Sequence, residues 1–155
     1  MEIKIKKATI KNVGDILNLN KQLFDYEYKN FDKTLDCSWP SHNKKYFKNH
    51  IIGKNSLALL VVDNKEVVGY LMGSITNVED YRTIQKIAEL DNMFILPKYR
   101  KKGIGFDLCK KFFKWAKEKG VKRAKVIVSE QNDKAIGYYK KCGFLEYDLT
   151  LETKL

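Results

Sequence analysis

AELDNMFILPKYRKKGIG, residues 88–105, joins an apolar run closed by a proline to a basic, glycine-bearing turn. The run KIAELDNMFI (86–95) reads as a long strand ended by Pro97. Downstream, Ile104, Leu108, Phe112 and Ala116 recur every four residues, with Cys109, Phe113 and Trp115 alongside. That spacing predicts an amphipathic helix from Gly103 to Lys119, stopped by Gly120. Strand, glycine turn and helix together make an arrangement that binds phosphate, because unpaired N–H groups and the positive end of the helix dipole face outward at the helix start. Gly103 and Gly105 would let a phosphate approach the backbone with no Cβ in the way, and Arg100 can add a charged bidentate contact. The spacing does not fit G-x-x-x-x-G-K-[ST], and the third glycine of G-x-G-x-x-G is missing, so neither a nucleoside-triphosphate loop nor a dinucleotide fold is expected. Taken alone, the stretch is equally readable as a basic turn ahead of an amphipathic helix.

The charge pattern bears on that choice. Residues 98–125 hold 12 Lys/Arg and 2 Asp/Glu, a net of +10, whereas the rest of the 155-residue chain holds 18 and 17, a net of +1. A positive field focused in one place calls for a polyanionic partner, either a nucleotide-like cofactor or nucleic acid. Nucleic acid is disfavoured because the aromatics of the stretch fall at core spacing, not as an exposed stacking platform. Cys37, Cys109 and Cys142 are odd in number and widely spaced, which argues against a disulfide framework or a zinc site. His42 and His50 read as two surface histidines, and no metal site is expected. No apolar run approaches the ~18 residues of a membrane span. The start, MEIKIKKATI, alternates like a strand and lacks the apolar region of a signal peptide. A cytoplasmic protein with one domain over 1–155, monomeric or homodimeric, is expected.

The remaining pattern predicts a strand at 3–9 and a helix from Val13 to Tyr28. A second helix, capped by Ser41 and stopped by Gly53, should follow. LALLVVD and VVGYLMGSI read as antiparallel strands joined by NKE, followed by a polar loop over 76–85. AKVIV (124–128) is a short strand, NDKAIGYYKKCGF a helix opened by Asn132, and LEYDLTLETKL a closing strand pair. The unit from 87 to 128 should be a right-handed parallel crossover within an α/β domain.

NDKAIGYYKKCGF, residues 132–144, supplies a second motif. Together, R-x-x-G-x-G after a strand and N-x-x-A-x-x-x-Y-x-x-x-G-F, in that order with one helix and one strand between, resemble the GNAT superfamily of N-acetyltransferases. The resemblance is clear over about residues 86–144. It implies a mixed, largely antiparallel sheet with a central, splayed parallel strand pair and helices on both faces. It implies acetyl-CoA as cofactor, whose phosphates would account for the focused charge. The backbone N–H groups of Lys101, Lys102, Gly103, Ile104, Gly105 and Phe106, with Arg100 beside them, would hold the pyrophosphate. The pantetheine arm would lie along Met93, Phe94 and Ile95, and the Asn132 side chain would reach the same arm.

Acetylating an amine requires that the amine lose its proton, that it be held near the thioester carbon, that the oxyanion find a donor, and that the leaving thiolate find a proton. By the resemblance, Tyr139 serves the thiolate. Tyr138, about 100° around the helix, is its rival by type. The Met93 N–H, at an expected bulge, serves the oxyanion. Glu89, 14 residues before Gly103, takes the place of a catalytic glutamate found in several members. Strand alternation puts Glu89, Asp91 and Met93 on one face, which makes Asp91 the alternative base. Some relatives carry the base at the position of Ile127, which cannot serve, and Glu130 falls in the loop beyond. A substrate that arrives deprotonated needs no protein base. Cys142 is three residues from Tyr139, but direct transfer is the usual route in the family. The acceptor should be a small amine, with a peptide or protein amine as the alternative. The acidic, aromatic stretch with Asp25, Glu27, Asp32, Asp36, Tyr26, Tyr28, Phe31 and Trp39, joined by Glu79 and Asp80, suits a cationic acceptor or a solvated helix face.

Overall fold

The computed structural model describes residues 1–155. Five strands form one sheet in chain order: β1 (Ile3–Lys7), β2 (Ser56–Asp63), β3 (Glu66–Asn77), β4 (Lys86–Ile95) and β5 (Ala124–Val126). The first four pair antiparallel and β4 pairs with β5 in parallel. The helices are α1 (Val13–Asn30), α2 (Trp39–His42), α3 (Lys44–Ile52), α4 (Ile104–Glu118) and α5 (Asp133–Lys141). This is the mixed α/β architecture implied by the resemblance.

Alternation along the strands divides the core in two. Leu57, Leu59, Val61, Leu71 and Leu90 face α4, which buries Leu108 and Phe112 completely among them. Ala58, Leu60, Val62, Tyr70 and Met72 face α1 and α3, where Ile16 and Phe47 fill the space. Burying one such side chain is worth about 1.5–3 kcal/mol. Close packing also dictates Gly73, because a Cβ there would stand 2.7 Å from Phe112 Cε2. The turn from β2 to β3 needs a left-handed residue, and Asn64 supplies it at φ 54°.

Three expectations change. Ser41 does not cap a helix, because it lies inside the short α2 that Pro40 helps to start, and Asn43 separates α2 from α3. The strand expected over 124–128 pairs only from Ala124 to Val126. The closing strand pair does not form: residues 145–155 have no regular structure, and Leu145, Leu149, Leu151 and Leu155 are exposed. An alternating pattern needs a sheet edge to pair with, and a three-residue β5 offers little.

Candidate active site

The parallel pairing ends at Leu90 and Val126, yet β4 continues to Ile95. Beyond Leu90, β4 therefore has a partner only on its β3 side. The β3–β4 register shifts at this same point. Gly73 faces Leu90 and Met72 faces Asn92, which leaves Asp91 as the extra residue of a bulge. The Leu96 N–H donates to the Val68 carbonyl at 2.9 Å. Alternation of an antiparallel ladder then turns the N–H and C=O of Met93 and Ile95 away from β3, toward the open side. The Ile95 carbonyl on that side accepts a 2.7 Å bond from Arg100 Nε.

The bulge corrects the expected facing of the β4 side chains. Ala88, Leu90, Met93 and Ile95 all pack toward α4, whereas Phe94 packs on the opposite side. Met93 is thus separated from Glu89 and Asp91 by the sheet, because the extra residue inverts the alternation. The bulge itself sits at Asp91, two residues before Met93.

The glycine loop follows from β4 by a 3-10 turn, Pro97–Tyr99. Lys101 (φ 59°) and Gly103 (φ 80°) are left-handed, a backbone form that gathers successive N–H groups into an anion-binding nest. The N–H groups of Lys101, Lys102 and Gly103 have no protein acceptor, and those of Ile104, Gly105 and Phe106 open α4, where no preceding carbonyl reaches them. Nothing lies within 4 Å of a Cβ built on Gly103, so its backbone conformation explains the residue. Gly105 has a different reason from the one expected. A Cβ there would meet the Tyr138 hydroxyl at 2.9 Å, and that hydroxyl donates to the Gly105 carbonyl at 2.6 Å. Tyr138 thus locks α5 onto α4. Arg100 folds back, its guanidinium 5.1 Å over the Phe94 ring.

On α5, Asn132 is buried and its Oδ1 accepts from the Ala135 N–H at 3.1 Å, a helix cap. Its Nδ2 faces Glu27 Oε1 of α1 at 3.5 Å. α1 and α5 pack on opposite faces of the sheet, so they can meet only past the edge of β4 that β5 leaves open. The Tyr139 hydroxyl has no hydrogen-bond partner. Burial first, then the Cys109, Cys142 and Glu27 charges, keep it protonated well above the ordinary tyrosine range. Cys109 is buried and packed, its thiol pushed up to about 12 by burial. A thiolate nucleophile is not prepared there.

The carboxylates are placed as follows. Glu89 meets Lys125 Nζ at 3.4 Å. Asp91 accepts from Ser74 Oγ and pairs with His50 Nε2, each at 3.0 Å. His50 is therefore no surface residue: its side chain is 13% exposed and its Nδ1 lies 3.1 Å from the Tyr46 carbonyl. With acceptors at both ring nitrogens, His50 is favoured as the cation. Burial opposes that charge, but the Asp91 hydrogen bond, the Tyr46 carbonyl and the Asp91 charge outweigh it and raise its pKa. Beside this pair, Asn20 Nδ2 donates to the Tyr70 hydroxyl at 2.8 Å and reaches Asn92, while Asn20 Oδ1 is buried without a partner. The acidic stretch divides likewise. Asp25 pairs with Lys21, and Asp32 and Asp36 are held by Thr34 and Ser38. Glu79 pairs with Arg82, and Trp39 stacks on Phe24 in the core.

Nothing in the spacing of His50 and Asp91, 41 residues apart, announces their pairing. Glu27 is one of four acids in its stretch, and only the approach of α1 to α5 singles it out.

The acetyltransferase (GNAT) family pattern matches residues 20–144. The chain is 30% identical to an uncharacterised N-acetyltransferase of Methanocaldococcus jannaschii, over 94% of this chain and 64% of that protein's length. It is 27% identical to an N-alpha-acetyltransferase of Sulfurisphaera tokodaii, covering 94% and 81% of the two chains. It is 24% identical to a spermidine N(1)-acetyltransferase of Thermoplasma acidophilum, covering 93% and 89%. The fold matches the structure of a predicted acetyltransferase with acetyl-CoA from Clostridium acetobutylicum at TM-score 0.81 and 19% identity, over 99% of this chain and 96% of that one. A strand edge opened at a bulge, a run of unpaired N–H groups at a helix start, and the family pattern across both lead to one statement: the chain belongs to the GNAT acetyltransferase family, whose members use acetyl-CoA.

Proposed function

We propose that the protein transfers the acetyl group of acetyl-CoA to a small cationic amine. The observation that carries this reading is the division of charge across the open edge of β4. Six unpaired N–H groups and the basic loop stand at one end, and the Glu27 carboxylate, which has no cation, lies on the α1 side beside the Glu89–Lys125 and Asp91–His50 pairs. The chain's residues fit the cofactor. The N–H groups of Lys101–Phe106 would take its pyrophosphate, and the outward backbone of Met93 and Ile95 would take the pantetheine arm, with Arg100 yielding the Ile95 carbonyl and Asn132 flanking. When bound, acetyl-CoA supplies an activated acyl group as a thioester.

The protein's own groups then divide the work. The Met93 N–H, turned to the open side, serves as oxyanion donor. Tyr139 keeps its proton to neutral pH and beyond, and its unpartnered hydroxyl is the donor for the leaving sulfur. The Glu27 carboxylate, left without a cation, favours a cationic over a neutral acceptor, and the Thermoplasma relative acts on spermidine by its name. A protein α-amine is the second reading, supported by the Sulfurisphaera relative. Thiol release from acetyl-CoA across polyamines, aminoglycosides, amino acids and peptides tests both. Release with no amine would contradict the activity, and release with peptides alone would move the acceptor class.

A further inference from the structure

We propose that Glu27 is the group that receives the acceptor, pairing with its ammonium and removing the proton that blocks attack. The inference rests on the amine-acetyltransferase reading above and deepens it. Several of the 19 Asp and Glu form no salt bridge, but the other partly buried ones among them are held by close hydrogen bonds, Asp32 from Thr34 and Asp63 from the Tyr99 hydroxyl and the Glu2 N–H. The other partly buried carboxylates of the cleft are neutralised, Glu89 by Lys125 at 3.4 Å and Asp91 by His50 at 3.0 Å. Asp25 has Lys21 and Glu79 has Arg82. Glu27 is half-buried and forms no salt bridge; its hydrogen-bond contact is the neutral Asn132 amide at 3.5 Å, the limit of a hydrogen bond.

A half-buried, unneutralised carboxylate is a site for a cation that the protein does not itself supply. Its place agrees with that use. Asn132 is seven residues before Tyr139 on the same helix, and Glu27 is close enough for its charge to bear on the Tyr139 hydroxyl. Burial, opposed by the Asn132 contact and supplemented by Asp32, raises the Glu27 pKa, which brings it toward the range where a carboxylate both accepts and releases a proton. Glu89, held by Lys125, has its negative charge already answered.

The step is a single proton transfer. An N–H bond of the ammonium breaks and an O–H bond forms on Glu27. The nitrogen keeps the electron pair as its lone pair, and Glu27 later returns the proton to solvent.

Two measurements on the full chain test this. Spermidine is titrated calorimetrically into the protein loaded with CoA, and steady-state acetylation is followed with spermidine and with a peptide bearing a free α-amine. Gln at position 27 can still accept from Asn132, so Glu27→Gln retains that contact. The expected result is weaker spermidine binding and a loss in kcat/KM of about 100-fold, with acetyl-CoA affinity unchanged. Wild-type spermidine binding and wild-type kcat/KM in Glu27→Gln, with the rate lost in Glu89→Gln, would overturn the assignment and leave the activity standing. Failure of the wild-type protein to acetylate any amine would overturn both. Loss of peptide acetylation in Glu27→Gln, with spermidine inert in the wild type, would keep Glu27 and replace only the acceptor class.

Discussion

Glu89 of β4 and Lys125 of β5 face each other as Cα partners in the parallel ladder and join their side chains at 3.4 Å, one rung before β5 leaves the sheet. The pair spans the strands at the point where the cleft opens. Both side chains are partly exposed, at 21% and 45%, so the pair contributes about 0–1 kcal/mol to stability. Its larger consequence is chemical, because a carboxylate already facing an ammonium is a poor recipient for a second one. Glu89→Gln should therefore lower kcat/KM by less than about tenfold, against about 100-fold for Glu27→Gln. Steady-state kinetics on the two variants side by side checks this.

Tyr139→Phe removes a hydroxyl that bonds to nothing in the protein. The variant should unfold at the wild-type temperature and bind acetyl-CoA with wild-type affinity, while kcat falls by about 100-fold. Tyr138→Phe gives the reverse. It loses the 2.6 Å bond to the Gly105 carbonyl, about 1 kcal/mol of stability, and keeps its chemistry. Thermal melts and kcat for the pair distinguish a catalytic tyrosine from a packing one.

The two loop glycines should respond differently to alanine. Gly103→Ala meets no neighbouring atom, and its penalty is that of a left-handed alanine, about 1–2 kcal/mol. Gly105→Ala drives a methyl group against the Tyr138 hydroxyl, so α5 must shift on α4. Its stability loss should be partly relieved by Tyr138→Phe, which removes the hydroxyl but keeps the ring carbons that stand 3.0 and 3.2 Å from the methyl, whereas that of Gly103→Ala should not change. A double-mutant cycle on denaturant midpoints measures the coupling.

The His50–Asp91 pair makes stability depend on pH. The His50 pKa is raised in the folded state above its ordinary 6.5. Its contribution is fully present below 6.5 and is lost as pH rises through the folded value. The wild-type melting temperature should therefore fall relative to His50→Gln as pH is raised from 6.5 upward. Parallel pH dependences in the two proteins would show that the imidazolium contributes nothing.

Much of this was legible in the residues. The four-residue recurrence of Ile104, Leu108, Phe112 and Ala116 specifies α4 because each side chain fills the same stripe against β2–β4. Gly103 and the paired motifs placed the loop and α5. The facing of β4 was not legible, because one inserted residue at Asp91 inverts everything after it and no local pattern marks a bulge. The pairing of His50 with Asp91 and the isolation of Glu27 depend on how separate elements approach one another, which periodicity along one element cannot encode. The tail misled for the converse reason: LEYDLTLETKL alternates as a strand does, yet residues 145–155 form none.

Thiol release from acetyl-CoA, followed with spermidine and with a free α-amine peptide and with the products identified by mass spectrometry, decides the activity and its acceptor together. Saturable release, acetylated spermidine, and a kcat/KM for spermidine above that for the peptide are expected. Acetylation confined to the peptide would rule out a small cationic acceptor, and an absence of thiol release with both amines would rule out the amine acetyltransferase activity itself.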